Sequence, residues 1–242
     1  MSFKHFLKPS NLKLKDKQLI APDTYIFNFA IEEPLHWHAG QYGILEIKLP
    51  SGRTGRKPFA IASAPNEKII TIVTKIKPDN QDSFKLHMLQ LKKGSGAKLR
   101  GPIGSMHIKD HHKNYAFLAT GIAIAPFRAI LKQLEDETTK PSITLFYVNS
   151  GNGHYFKEEL NSLKSKFENL QIIYITKPDR ITGQTIEDTL GKAMFDTTYF
   201  LSGSAKLINN YKRTLMGLGI ASGQIKNNLV LGKNTYPMQP AN

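Results

Sequence analysis

From Tyr115 onward, short apolar runs alternate four times with helix-patterned stretches, and no other feature of the sequence restricts the fold as tightly. "YAFLA" precedes a helix expected over 126–135, "SITLFYV" precedes "FKEELNSLKSKFE", "QIIYIT" precedes "TIEDTLGKAM", and "TYFLS" precedes "AKLINNYKRTLMGLG". Strands separated by helices cannot pair as hairpins. They pair in parallel, with each helix crossing back over a sheet face. The spacing therefore predicts a doubly wound α/β domain with a parallel sheet, a fold that binds ligands at the carboxyl ends of its strands.

The preceding residues follow another rhythm. "TYIFNFAI", "YGILEIKL" and "KIITIVTKI" are β-branched and aromatic runs separated by glycine, proline and charged turns. One short helix is expected in "DSFKLHMLQLKK", capped by Asp82 or Ser83. Several strands with one helix predict a small antiparallel β-barrel. The boundary is placed near residue 110, giving a barrel domain over 1–110 and an α/β domain over 111–242. The tail "NTYPMQPAN" reads as loose after Tyr236.

Composition removes several function classes. The chain contains no cysteine, which excludes disulfides, thiolate nucleophiles and iron–sulfur clusters held by its own residues. Its eight histidines show no metal-ligand spacing; "HWH" puts two on one face of an expected strand, without a third ligand, so no metal site is expected. No apolar run approaches the length of a membrane span, and the basic N-terminus lacks a signal peptide's apolar core. The expectation is a soluble, cytoplasmic protein without membrane insertion. The net charge of +14, heavier in the first half, suits an acidic partner or simply solubility. No nucleic-acid motif accompanies it.

Within "FLATGIAIAPFRAIL", the turn Thr120-Gly121-Ile122-Ala123 ends the first parallel strand, and Pro126 lies just inside the helix, where its missing N–H costs nothing. The exposed N–H groups of such a helix start, with the positive end of its dipole, suit a diphosphate. An isolated glycine turn is equally compatible with a fold that binds nothing there.

A second motif decides between these readings. "GRKPFAIASAP", with "HAGQYGILEI" before it and "GSGAKLRGPIGSM" after it, resembles the ferredoxin–NADP reductase and flavin oxidoreductase superfamily, and "ATGIAIAP" resembles the nucleotide loop of its bacterial branch. The resemblance spans essentially the whole chain. It implies a six-stranded barrel that binds FAD, followed by an α/β domain that binds NADPH or NADH. It further implies flavin contacts at Lys57, Pro58, Phe59, Ala60 and Ser63, with Phe59 beside the flavin ring and Lys57 at its diphosphate. Gln81, Asp82 and Ser83 fall where the family places a helix start that binds flavin phosphate. Thr120 would reach both cofactors, while Gly121, Ile122, Ala123 and Pro126 would cradle the nicotinamide dinucleotide.

The chain departs from the family pattern at several of these positions. Lys57 replaces an arginine and so loses the bidentate fork. Ala60 replaces a serine or threonine that would hydrogen-bond the flavin near N5, and Ser202 replaces a cysteine near the nicotinamide. Ser202 and Gly203 are expected nicotinamide contacts, Ser150 and Lys177 occupy positions where NADPH-using members carry arginine, and Tyr236 is a candidate cover for a ring. No residue stands out as a catalytic acid or base; Ser202 and Tyr236 are the candidates nearest the reaction.

The implied activity is hydride transfer from NAD(P)H to FAD, with electrons leaving for a separate acceptor, an acidic carrier such as ferredoxin or flavodoxin. Free flavin as substrate, or service to an oxygenase, are the alternatives within the enzyme class. A non-catalytic nucleotide- or protein-binding module is the alternative outside it.

Overall fold

The structure is a computed structural model and describes residues 8–77, 83–150 and 153–228. Six antiparallel strands come first: β1 (Ser10–Ala21), β2 (Thr24–Ile31), β3 (Tyr42–Lys48), β4 (Thr54–Ala60), β5 (Ile69–Lys75) and β6 (Gly96–Ile103). They form one sheet in the order β4-β3-β6-β1-β2-β5, so β4 and β5 are its edges. All six strands contribute to a single core that includes Leu12, Phe27, Leu45, Phe59, Ile72 and Leu99. The barrel is therefore closed by side-chain packing between β4 and β5 rather than by a ladder. Helix α1 (Ser83–Gln90) plugs it with Phe84 and Met88.

The first strand, "SNLKLKDKQLIA", is the longest of the described strands, although it carries three lysines, Asp16 and Gln18. Leu12 and Leu14 enter the core while Lys13, Lys15 and Lys17 face solvent. The period of two makes a lysine-rich segment a good half-buried strand. Asp23, in the left-handed conformation at φ 61°, turns β1 tightly into β2.

The second part contains β7 (Asn114–Thr120), β8 (Ser142–Asn149), β9 (Leu170–Thr176), β10 (Thr197–Ser202) and β11 (Ile225–Asn227) in the parallel order β11-β10-β7-β8-β9. Helices α2 (Ala125–Glu135), α3 (Lys157–Lys166), α4 (Gly183–Leu190) and α5 (Ala205–Gly217) connect them. The strands alternate strictly between the two helical layers. Tyr115, Phe117 and Ala119 of β7 join the layer of α2 and α3, whereas Ala116 and Leu118 join that of α4 and α5. From β7 the chain steps outward through β8 to β9 on one side, then crosses from β9 back to β10 on the other side of β7, so the strand order reverses at β7. A crevice opens outside the strand ends at that reversal.

The two parts meet over a small apolar seam in which Ala62 and Val73 of the barrel pack with Ala125, flanked by Ile122 and Phe156. Among the described residues, no helix is long and apolar enough to cross a membrane.

Candidate functional site

Thr120 ends β7, and Gly121 follows at φ 59°, a left-handed conformation that lets the chain turn at once into a 3₁₀ turn (Gly121–Ile124) and then α2. No side chain caps either start. The first N–H groups there lack intrahelical partners, which is the donor set an anionic ligand requires. Ile122 and Ala123 are half-buried, and Pro126, the second residue of α2, is buried.

The loop is held from behind. The Tyr147 hydroxyl donates to the Gly121 carbonyl at 3.2 Å and accepts from the Tyr155 amide at 3.0 Å. Burial raises the Tyr147 pKa far above its usual value, so the phenol stays neutral and keeps both roles. In front, the Thr120 hydroxyl makes a 3.0 Å hydrogen bond with the Tyr211 hydroxyl of α5.

From Thr120 a cleft of about 830 Å³ runs between the β9–α4 loop and α5. Val148 lines it with Thr120, Lys177 and Arg180 border it from the loop, and Tyr211 and Arg213 from α5. Lys177 and Arg180 are exposed and form no ion pair among the described residues; Arg213 donates to Asn210 Oδ1 at 2.6 Å. Three cations bordering an open cleft next to unfilled N–H donors fit the size and charge of a dinucleotide. Lys177 and Thr120 are legible in the sequence motifs, whereas Tyr211 and Arg213 are not. A signal for α5 was available: Leu207, Asn210, Tyr211 and Thr214 recur at i, i+3, i+4 and i+7, and all four line the cleft.

Ser202 and Gly203 close β10 beside β7, with Ser202 paired to Ala119, so they stand at the reversal of strand order next to Thr120. Ser150 follows β8, is exposed, and is not among the residues lining the cleft.

On the barrel side, β4 carries Lys57, Pro58, Phe59 and Ala60 at the sheet edge. Lys57 is opposite Leu45 and has an interaction partner. Phe59 is only 7% exposed and tilts against Phe84 at 6.0 Å between ring centroids, within the barrel core. Pro58 and Ala60 alternate to the other face and are half-buried. Arg56 shares that other face, where it and Arg100 pair with Glu46, at 2.8 and 3.1 Å. Ser63 is fully buried; its hydroxyl donates to the Ile69 carbonyl and accepts from the Thr71 amide, bracing the turn from inside. Ser83 is the first residue of α1, while Gln81, Asp82 and Tyr236 lie outside the described residues.

One expectation needs correction. "HWH" lies in the loop between β2 and β3, not on a strand, because Pro34 and Gly40 interrupt the ladder; Trp37 is buried while His36 and His38 are exposed. His38 stacks on His107, with ring centroids 4.6 Å apart. Burial, then the neighbouring His38 and Lys109, lowers the His107 pKa.

The chain matches two family models in tandem: an oxidoreductase FAD-binding domain over residues 11–108 and an oxidoreductase NAD-binding domain over residues 117–211. It is similar to NADH-cytochrome b5 reductase 1 of Coccidioides immitis, 23% identical over 242 residues, covering 90% of this chain and 78% of that protein. It is also similar to methane monooxygenase component C of Methylosinus trichosporium, 26% identical over 140 residues, which cover 57% of this chain and only 40% of that protein. Among solved structures, the cytochrome b5 reductase domain of Ulva prolifera nitrate reductase superposes with a TM-score of 0.77 at 19% identity, covering 92% of this chain and 97% of that one.

Proposed function

We propose that this chain, which belongs to the ferredoxin–NADP reductase and cytochrome b5 reductase family of flavin- and nicotinamide-dependent oxidoreductases, takes a hydride from NADPH or NADH and delivers electrons to a separate acidic carrier protein. The observation that carries this reading is the seam: Ala62, inside the flavin motif, packs with Ala125 and Ile122 of the nucleotide loop, so the two cofactor segments are in contact. When bound, the flavin accepts the hydride and afterwards releases its electrons.

The side chains bind and orient. Uncapped N–H groups after Gly121 receive the diphosphate; Lys177, Arg180 and Arg213 attract the adenosine end; Thr120, Ser202 and Gly203 border the nicotinamide. With both cofactors bound, hydride would pass directly between them, so no side chain is needed as an acid or base and the chain's contribution is geometric. The net charge of +14 supports an acidic acceptor, whose approach it would accelerate.

A second reading within the same class is a reductase that uses flavin as a diffusible substrate. Phe59 in the core and the Ser63 hydroxyl committed to backbone groups favour it, because both reduce the grip on a flavin.

The deciding experiment is an anaerobic titration of the purified protein with NADPH and with NADH, monitored through the flavin bands. Bands that co-purify and bleach support the first reading. Turnover only with added FAD or FMN supports the second. A protein inert under both conditions overturns the enzymatic assignment.

A further inference from the structure

We propose that Arg128 is a positioning residue for hydride transfer, its guanidinium clasping the flavin-motif segment of the barrel to the helix that carries the nucleotide loop. The inference rests on the functional reading above and adds a residue to it.

Arg128 lies on α2, one turn beyond Ala125, with 13% of its side chain exposed. Nη1 donates across the seam to the Ala62 carbonyl at 3.1 Å and to Glu67 Oε2 at 2.5 Å. Nε and Nη2 make a bidentate pair with Glu159 of α3 at 3.1 and 2.6 Å. Glu67 Oε2 in turn accepts from the Ala64 amide at 2.7 Å. One cation thus holds both ends of the Ala62–Ala64 segment, directly through Ala62 and through Glu67 at Ala64. Burial opposes the charge of Arg128, but hydrogen bonds to Glu159 and Glu67 outweigh it and raise the pKa.

The segment cannot relax elsewhere. The Ala62 amide is bonded to the Thr71 carbonyl, the Ser63 carbonyl accepts from Trp37 Nε1 at 3.2 Å, and the Ser63 hydroxyl is committed to Ile69 and Thr71. The barrel side of the seam is therefore rigid. The helix side is equally fixed, with the Phe156 ring over the guanidinium at 5.9 Å and Glu159 behind it. A guanidinium with five donors in a planar fork can satisfy three acceptor groups from three directions; an ammonium cannot hold the same geometry. The seam's apolar part joins Ala62, Val73 and Ala125 with Ile122 and Phe156 through contacts that carry no direction, so the directional hydrogen bonds of Arg128 fix the register of the Ala62–Ala64 segment against α2. Hydride transfer is steep in distance and angle, so a small slip slows the step while leaving each cofactor's own contacts intact.

The test uses flavin-loaded protein carrying R128K, R128Q or E67Q in anaerobic stopped-flow reduction by whichever of NADPH and NADH reduces wild type faster. R128K keeps a cation between Glu67 and Glu159 and is the variant chosen to fold if R128Q does not. The expected result is a limiting rate of flavin reduction at least tenfold lower in R128K. The dissociation constant of that nucleotide should stay within twofold of wild type, and the long-wavelength charge-transfer absorbance that precedes reduction should weaken. E67Q should shift the same quantities in the same direction. A limiting rate equal to wild type in R128K and E67Q overturns the clasp even if their melting temperatures fall. So does a loss confined to nucleotide affinity. A wild type whose flavin neither nucleotide bleaches overturns instead the functional reading beneath it.

Discussion

The Tyr211 hydroxyl lies 3.0 Å from the Thr120 hydroxyl, although 91 residues separate them in the chain. The contact ties the end of the central strand to α5 across the mouth of the cleft. Burial pushes the Tyr211 phenol up, with the hydrogen bond it shares with Thr120 opposing, so it remains neutral and keeps its contact with Thr120. Tyr211→Phe removes this restraint. The expected effect is about 1 kcal/mol, roughly a fivefold loss in kcat/KM for the nicotinamide nucleotide. Thr120→Val should cost a similar amount, and the double variant should lose little more than either alone. Fully additive losses in steady-state kinetics would show that the two hydroxyls act separately.

Gly121 has φ 59°, and a methyl group there would meet only Asn149 Oδ1 at 3.8 Å. Space therefore permits alanine while the backbone does not favour it. Gly121→Ala should lower stability by about 1–2 kcal/mol, measured as a shift of the urea midpoint at constant slope. Nucleotide affinity should fall with it if the turn opens. An unchanged midpoint would mean that the turn adapts without strain.

The cations around the cleft should decide between nucleotides. Replacing Lys177, Arg180 and Arg213 singly by glutamine should raise KM for NADPH, by about tenfold for the residue nearest the 2′-phosphate, since a hydrogen bond to a charged group is worth about 1.5 kcal/mol or more. KM for NADH should change little. Equal changes for both nucleotides would assign these residues to the shared diphosphate.

Glu46 provides a pH-dependent term in the barrel. Its side chain is 6% exposed; burial raises its pKa, but hydrogen bonds from Arg56 and Arg100 outweigh that and hold it below the usual carboxylate value. A folded-state pKa below the unfolded one stabilises the native protein above the unfolded pKa, and that contribution is lost as pH falls through the folded value. The stability of wild type to urea should therefore fall below about pH 4.5, and Glu46→Gln should be less stable at neutral pH with a flatter acid limb. Parallel acid limbs would remove Glu46 as their source.

Salt should separate steering from chemistry. With an acidic carrier as acceptor, its reduction should slow several-fold between low and physiological ionic strength, where the screening length falls to about 8 Å, while reduction of a small neutral dye stays constant. Salt-insensitive carrier reduction would argue against an acidic partner.

Much of this architecture is legible in local pattern. Alternation in "YAFLA", "SITLFYV", "QIIYIT" and "TYFLS" shows the parallel strands, and the glycine–proline spacing from Gly121 to Pro126 shows a strand-to-helix turn. Other features escaped. β1 was hidden by its lysines, whose alternation with Leu12 and Leu14 is the strand signal. β11 has only three residues, too short for any period to register. Phe59 could be placed on a strand but not on a face, because which side of an edge strand meets the core depends on what α1 supplies, here Phe84.

The sequence by itself determined the two rhythms, the absence of thiol chemistry and the positions of both cofactor motifs, because these depend on residues within a few places of one another. Only the tertiary structure decided that Tyr211 meets Thr120, that Arg213 borders the cleft with Lys177 and Arg180, and that Arg128 reaches Ala62, 66 residues away. A hydrogen bond between distant residues leaves no periodic trace. It exists only once the strand order has brought the carboxyl ends of β7 and β10 together and the packing of Ala62 with Ala125 has set the barrel against α2.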